Sequence, residues 1–181
     1  MSPECRPEPR LVTMSRMSSD ASLIEVRLVG ADEYAELKEV RLSALAYSDH
    51  LVEHLARESA APLGFWRDRA ERGAAGTTMV TFVAAGESGF AGVADGFLSE
   101  DGGTVQIGGM WVSPALRRSG IGRALLGAVC EWARERGAQR AGLWVRATNG
   151  PARLLYEREG FELAMRSDES GETGLRLERR L

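Results

Sequence analysis

The chain has 181 residues, of which 44% are apolar and 27% charged, and its net charge is −3. These values suit one globular domain with a real core and argue against nucleic acid as an obligatory partner. No run approaches the ~18 apolar residues of a membrane span, and two distant cysteines, Cys5 and Cys130, make neither a disulfide framework nor a metal site.

Residues 1–22 are rich in Pro, Ser, Met and Arg but hold no continuous apolar stretch. They read as a disordered N-terminal extension rather than a secretion signal, with Met14 or Met17 as alternative starts. A cytoplasmic protein is the simple expectation. Lys38 is the only lysine among 23 basic residues, which reads as the arginine bias of a GC-rich, bacterial genome.

The single domain, residues 23–181, is expected to open with a strand at Ile24–Val29 and a helix from about Asp32 to Tyr47. The helix carries an apolar stripe of Leu37, Val40, Ala44 and Tyr47. Asp49 to Arg72 reads as one mixed helical segment, interrupted at Ala61-Pro62-Leu63-Gly64. Three strands follow, Met79–Ala85, Ala91–Leu98 and Thr104–Val112, joined by short Gly-containing turns that imply antiparallel hairpins. The next helix, Gly120–Arg136, buries Ile121, Leu125, Ala128, Val129 and Trp132 on one face. Strand Ala141–Arg146, helix Pro151–Glu159 and a hairpin of Phe161–Arg166 with Leu175–Arg179 complete the chain. The class is α/β (α+β): a mixed, mostly antiparallel central sheet of about seven strands with four helices.

The chemistry is concentrated at residues 110–123, which run from an apolar strand through an Arg/Gly-rich turn into an amphipathic helix. Such a turn stacks backbone N–H groups at the positive end of the helix dipole, a site for a polyphosphate. Gly120 and Gly122 let phosphates reach the amides. Arg117, Arg118 and Arg123 add charge-assisted hydrogen bonds, each worth about 1.5–3 kcal/mol if desolvated. A Walker loop requires Lys and then Ser or Thr after the second glycine, where Arg123 and Ala124 stand. A dinucleotide fingerprint requires a third glycine where Leu125 stands, and requires it almost directly after the strand.

The run Arg117-Arg118-Ser119-Gly120-Ile121-Gly122 resembles the pyrophosphate loop of the GCN5-related N-acetyltransferases, which bind acetyl-coenzyme A. A second segment strengthens the likeness: Asn149 at an N-cap position, Ala152, Tyr156 and then Gly160-Phe161. Two signatures in the right order are much harder to reach by accident than one. The resemblance covers Glu25 to Leu181 and implies an acyl-CoA N-acyltransferase fold.

It further implies acetyl-CoA as co-substrate, no metal, and an amine acceptor, a small molecule rather than a protein. Ser119, Gly120, Ile121 and Gly122 would hold the pyrophosphate together with the three arginines. Met110, Trp111 and Val112 would run beside the pantetheine, past a bulge easiest at Gly108-Gly109, with a freed N–H near Met110 for the thioester carbonyl. Those three residues are equally a core strand. Tyr156 matches the family's general acid, or is a helix aromatic on the sheet, and Asn149 binds pantetheine or caps its helix. Dimers are common in the family, so a homodimer is among the arrangements it implies.

The general base stays open between a chain of water molecules and an acidic or imidazole group elsewhere around the cleft. Many family members carry a Glu on the long strand where this chain has Gln106, which takes no proton. His50 and His54 share a helix face beside Glu53, too few for a metal site. Asp49, Glu53, Phe65, Trp66, Asp95, Phe97 and Glu100 are further candidates for the acceptor pocket. The alternatives are a non-catalytic acetyl-CoA-binding module and, more remotely, an NADP oxidoreductase suggested by Arg146, which fails on the third glycine.

Overall fold

A computed structural model describes residues 10–12, 24–48, 51–168 and 173–181. Its frame is one eight-stranded sheet in the order β1-β2-β3-β4-β5-β6-β8-β7. The strands are β1 (Arg10–Val12), β2 (Ile24–Leu28), β3 (Met79–Gly86), β4 (Gly89–Leu98), β5 (Thr104–Val112), β6 (Arg140–Arg146), β7 (Glu162–Ser167) and β8 (Gly174–Arg180). Every neighbouring pair is antiparallel except β5 and β6.

Five α-helices accompany the sheet: α1 (Tyr34–Ala46), α2 (Val52–Ser59), α3 (Leu63–Ala75), α4 (Ile121–Glu135) and α5 (Gly150–Arg158). The count exceeds the expected four because Pro62 ends one helix and begins another. Its ring fixes φ at −66° and it has no N–H to donate, so the mixed segment splits into α2 and α3. The eighth strand is β1, which pairs Arg10 with Val26 and Val12 with Ile24. It lies within the stretch expected as an extension; the rest of that stretch, residues 1–9 and 13–22, lies outside the described residues.

The apolar alternation of the strands produces two cores. On one face of the sheet, α4 buries Ile121, Leu125, Val129 and Trp132 against Val80, Ala94, Val105 and Ile107. On the other, Leu37 and Val40 of α1 and Ala70 of α3 meet Val83 and Val93. Trp132 Nε1 donates to the carbonyl of Gly76 at 2.9 Å, tying α4 to the end of α3. Tyr47 departs from its expected stripe: α1 stops at Ala46, and the ring is 56% exposed.

Glycine sets how closely α4 can approach. A Cβ on Gly96 would lie 2.7 Å from Val129 Cγ1 and 3.0 Å from Val80 Cγ1. Gly96→Ala is therefore an overpacking change, expected to cost about 1–3 kcal/mol and to lower the melting temperature by several degrees in a thermal scan followed by circular dichroism.

Candidate active site

The site is built where β5 changes partners. Residues Thr104–Ile107 pair in parallel with Arg140–Leu143, and the ladder ends there. Just beyond, two steps on β4 (Val93 to Asp95) oppose three on β5 (Trp111 to Gly108), so β5 carries a bulge. Gly109 absorbs it with φ +59°, a backbone angle that side chains disfavour. The bulge thus falls within the expected Gly108-Gly109 step. The two strands diverge past it and leave a cleft.

Backbone alternation orients what lines that cleft. Ser113 N donates to Ala91 O at 2.8 Å, so the N–H and C=O of Val112 face away from β4, into the gap. Arg117 Nε reaches that carbonyl at 3.1 Å. The side chain of Met110 faces α5, and Tyr156 donates its hydroxyl to Met110 Sδ at 3.6 Å. Trp111 points the other way and packs on the α1 side, its Nε1 buried without a partner among the described residues.

The loop leading to α4 is strained where a ligand would approach. Arg118 has φ +62°, the one non-glycine with positive φ among the described residues, and Gly120 follows at φ +93°. Gly120 is the N-cap of α4 and offers no side chain to cap it. The first N–H groups of the helix therefore have no intrahelical partner. Ile121 is fully buried and can offer a ligand only its backbone, while Ser119 Oγ is turned inward to Leu116 O at 2.6 Å. A Cβ on Gly122 would come within 3.2 Å of Leu155 Cδ2 and 3.6 Å of Met110 Cε, so a side chain there would crowd Leu155 where α4, α5 and β5 converge.

The arginines divide. Arg118 is exposed. Arg117 donates to the Tyr47 hydroxyl at 2.9 Å and lies 4.2 Å above its ring, which ties the loop to the end of α1. Arg123 is paired with Glu159 Oε1 at 2.9 Å. Asn149 caps α5, its Oδ1 accepting from Ala152 N at 3.3 Å.

Gln106 is held by two contacts that the sequence did not signal. Its Oε1 accepts from Arg176 Nη1, and its Nε2 donates to Ile107 O at 3.2 Å. Arg176 also donates to Glu178 Oε1 at 3.2 Å. These residues come from β5 and β8 and meet only because β6 lies between those strands.

A second unsignalled group lies behind the bulge. Arg41 of α1 grips Glu58 of α2 with two hydrogen bonds of 3.0 Å, and Arg69 of α3 donates to Asp95 Oδ2 at 2.7 Å. Both carboxylates are buried. Despite the cost of burial, the pairing with Arg41 holds the Glu58 carboxyl below the usual range. Of the other pocket candidates, Trp66 is fully buried, Phe65 and Phe97 are partly exposed, and Glu53, His54 and Glu100 lie on the surface. Asp49 and His50 lie outside the described residues.

A depression of about 520 Å³ lies on the α1 side of the sheet, beside the β3–β4 turn, lined by Glu36, Glu39, Glu87, Phe90, Trp111 and Leu116 among others. It includes neither Tyr156 nor the glycines of the loop, so the cleft beside β5 is the better candidate. No group of three potential metal ligands occurs among the described residues, and no described helix is long and apolar enough to cross a membrane.

Burial pushes the Tyr156 hydroxyl up from its ordinary value near 10 to about 12. The folded state holds that proton more tightly than the unfolded chain does. The associated stability is complete below pH 10 and is lost as the pH rises from 10 through about 12. Alkaline titration of tyrosinate absorbance should show one tyrosine ionising near 12, absent in Tyr156→Phe.

Comparison with known proteins agrees with this geometry. The family model for the acetyltransferase (GNAT) family matches residues 41–161. A streptothricin acetyltransferase from Streptomyces lavendulae is 42% identical over 82 residues, 45% of this chain and 43% of that protein. The match thus spans less than half of that relative's length. The crystal structure of a nourseothricin acetyltransferase is 34% identical, with a TM-score of 0.53 over 57% of this chain and 65% of the other. The PaiA N-acetyltransferase of Thermoplasma acidophilum, solved with coenzyme A, shares the fold at 18% identity and a TM-score of 0.71, over 87% of this chain and 99% of that one. With the bulged strand, the glycine loop and Tyr156 in these relative positions, the chain belongs to the GNAT acetyltransferase family.

Proposed function

We propose that this protein transfers the acetyl group of acetyl-CoA to the primary amine of a small molecule, by direct attack in a ternary complex. One observation carries the reading: the opened strand at Gly109, the uncapped first turn of α4 and the Tyr156 hydroxyl converge on one cleft. The streptothricin and nourseothricin acetyltransferases among the relatives support a small-molecule acceptor over a protein one. In this reading residues 23–181 form the catalytic domain, the protein works in the cytoplasm, and the reaction requires no metal.

The N–H groups of Ile121, Gly122 and Arg123 bind the pyrophosphate, where unpaired donors and the helix dipole favour an anion. Met110–Val112 align the pantetheine through backbone groups facing the gap. A freed N–H beside Met110 polarises the thioester carbonyl as charge develops on its oxygen. The amine nitrogen then bonds to the carbonyl carbon, the C–S bond breaks, and Tyr156 protonates the leaving thiolate. A phenol held near 12 carries its proton at neutral pH and is ready to donate.

The amine's proton goes to water. Gln106 cannot take it, and Glu58 and Asp95 are buried in pairs with Arg41 and Arg69. The rate therefore follows the acceptor's own ionisation. Gln106 also favours a second reading, a non-catalytic acetyl-CoA-binding module, which binding without turnover of any amine would select.

Calorimetric titration with acetyl-CoA, followed by an amine screen for thiol release that includes streptothricin, tests the proposal; absence of binding overturns it. Tyr156→Phe should lower kcat by about 10²–10⁴-fold while acetyl-CoA affinity stays close to wild type. Gln106→Glu should create no new ionisation between about pH 5 and 8, because Arg176 would hold the carboxylate charged. A faster enzyme with a new acidic limb in its pH–rate profile would show that the position can serve as a base.

A further inference from the structure

The cluster behind the bulge has no part in the mechanism above, yet it touches the bulge directly. Asp95 is 2% exposed and is fixed from two sides, by Arg69 Nη2 and by Thr81 Oγ1, each at 2.7 Å. A Cβ built on Gly109 would lie 2.7 Å from Asp95 Oδ2 and 3.5 Å from Arg41 Nη1. The carboxylate therefore rests against the Cα of the bulged residue, with the Arg41–Glu58 pair alongside.

Stability alone does not explain two buried carboxylates, each paired with a half-buried arginine, at this point. A buried ion pair replaced by apolar groups of similar volume is often no less stable, since desolvation offsets the attraction. What the pair supplies is position. At the contact with Asp95 there is room only for a residue without a side chain. If β5 slipped by one residue against β4, so that Met110 took the place of Gly109, Met110 would meet the carboxylate. Every side chain beyond it would also change face, because a strand alternates with a period of two. Met110 would leave Tyr156, Trp111 would swing into the cleft, and the Val112 amide would turn toward β4.

We propose that Asp95, held by Arg69 and Thr81, is a positioning residue for acetyl transfer: it pins the bulge at Gly109 and with it the register of Met110–Val112. The proposal rests on the acetyl-transfer reading given above. It assigns Asp95 no contact with substrate. The residue acts through the β5 backbone.

The test is steady-state kinetics with calorimetric acetyl-CoA binding on Asp95→Asn and on the apolar pair Asp95→Leu/Arg69→Met. Asp95→Asn keeps the shape but removes the charge that Arg69 requires. Its kcat should fall by at least about tenfold, as for a small misplacement of reacting groups, with acetyl-CoA affinity nearly unchanged. The apolar pair should regain the wild-type melting temperature but not kcat. Wild-type kcat in either variant overturns the proposal, as does a loss of affinity parallel to the loss of kcat. Should Asp95→Asn fail to fold, Thr81→Val removes one of the two restraints and should lower kcat at unchanged affinity; an unaltered kcat there is equally fatal. If the wild-type protein acetylates no amine, the acetyl-transfer reading fails by itself. The pinning is then judged from amide resonances: Asp95→Asn must shift those of Gly109 and Met110 far more than that of remote Gly137, and equal shifts overturn it.

Discussion

The parallel ladder between β5 and β6 ends at Ile107 and Leu143, and two residues later the bulge at Gly109 bends β5 away. A continuous sheet has no cleft, since each strand's N–H and C=O groups are consumed by its neighbour. Interrupting one pair turns the Val112 amide into the gap and leaves its carbonyl to Arg117, at a point where α4 begins and α5 passes. The same interruption turns Met110 toward Tyr156 and Trp111 toward α1. In the proposed reaction, binding and chemistry both depend on this single local break in the pairing.

Two kinds of contact keep that break from closing or wandering. On the α4 side, Gly122 has no side chain and admits Leu155 and Met110 to close packing, which holds three elements around the cleft floor. On the α1–α3 side, ion pairs join each helix to the sheet or to its neighbour, Arg41 to Glu58 and Arg69 to Asp95. Removing one partner would strand a buried charge, a costlier change than replacing both. Arg117 adds a further tie, from the loop to Tyr47 at the end of α1. Its guanidinium serves the loop's shape as much as its charge.

The electrostatics divide the labour between proton donor and proton acceptor. Tyr156 is buried in an apolar setting with no cation to favour its ionised form, so it retains its proton. Glu58 has the opposite surroundings: despite its burial, the Arg41 guanidinium holds its carboxyl below the usual range. The strand position where the family resemblance implies a base is an amide here, engaged by Arg176. In the proposed reaction the described site thus has an acid in Tyr156 and no matched base, which fits an acceptor amine that arrives neutral.

Local chemistry in the chain made legible most of the element order, the buried face of α4, the glycine loop and the N-cap position of Asn149. Each depends on neighbours within a few residues: a 3.6-residue apolar period, a helix start without a side-chain cap, an Asx oxygen three residues before its amide. The buried face Ile121, Leu125, Ala128, Val129 and Trp132 was legible for that reason. The bulge itself was implied by the family resemblance, and the paired glycines marked where in the strand extra backbone is accommodated. Only the tertiary structure decided the split of α2 from α3, the strand β1, the Gln106–Arg176 contact and the cluster of Arg41, Glu58, Arg69 and Asp95. Their partners stand 17 to 70 residues apart in the chain. An Arg on one helix and a Glu on another carry no local mark of their pairing. Which charges meet is determined by how helices cross a sheet, and that follows from packing the whole core rather than from any one segment.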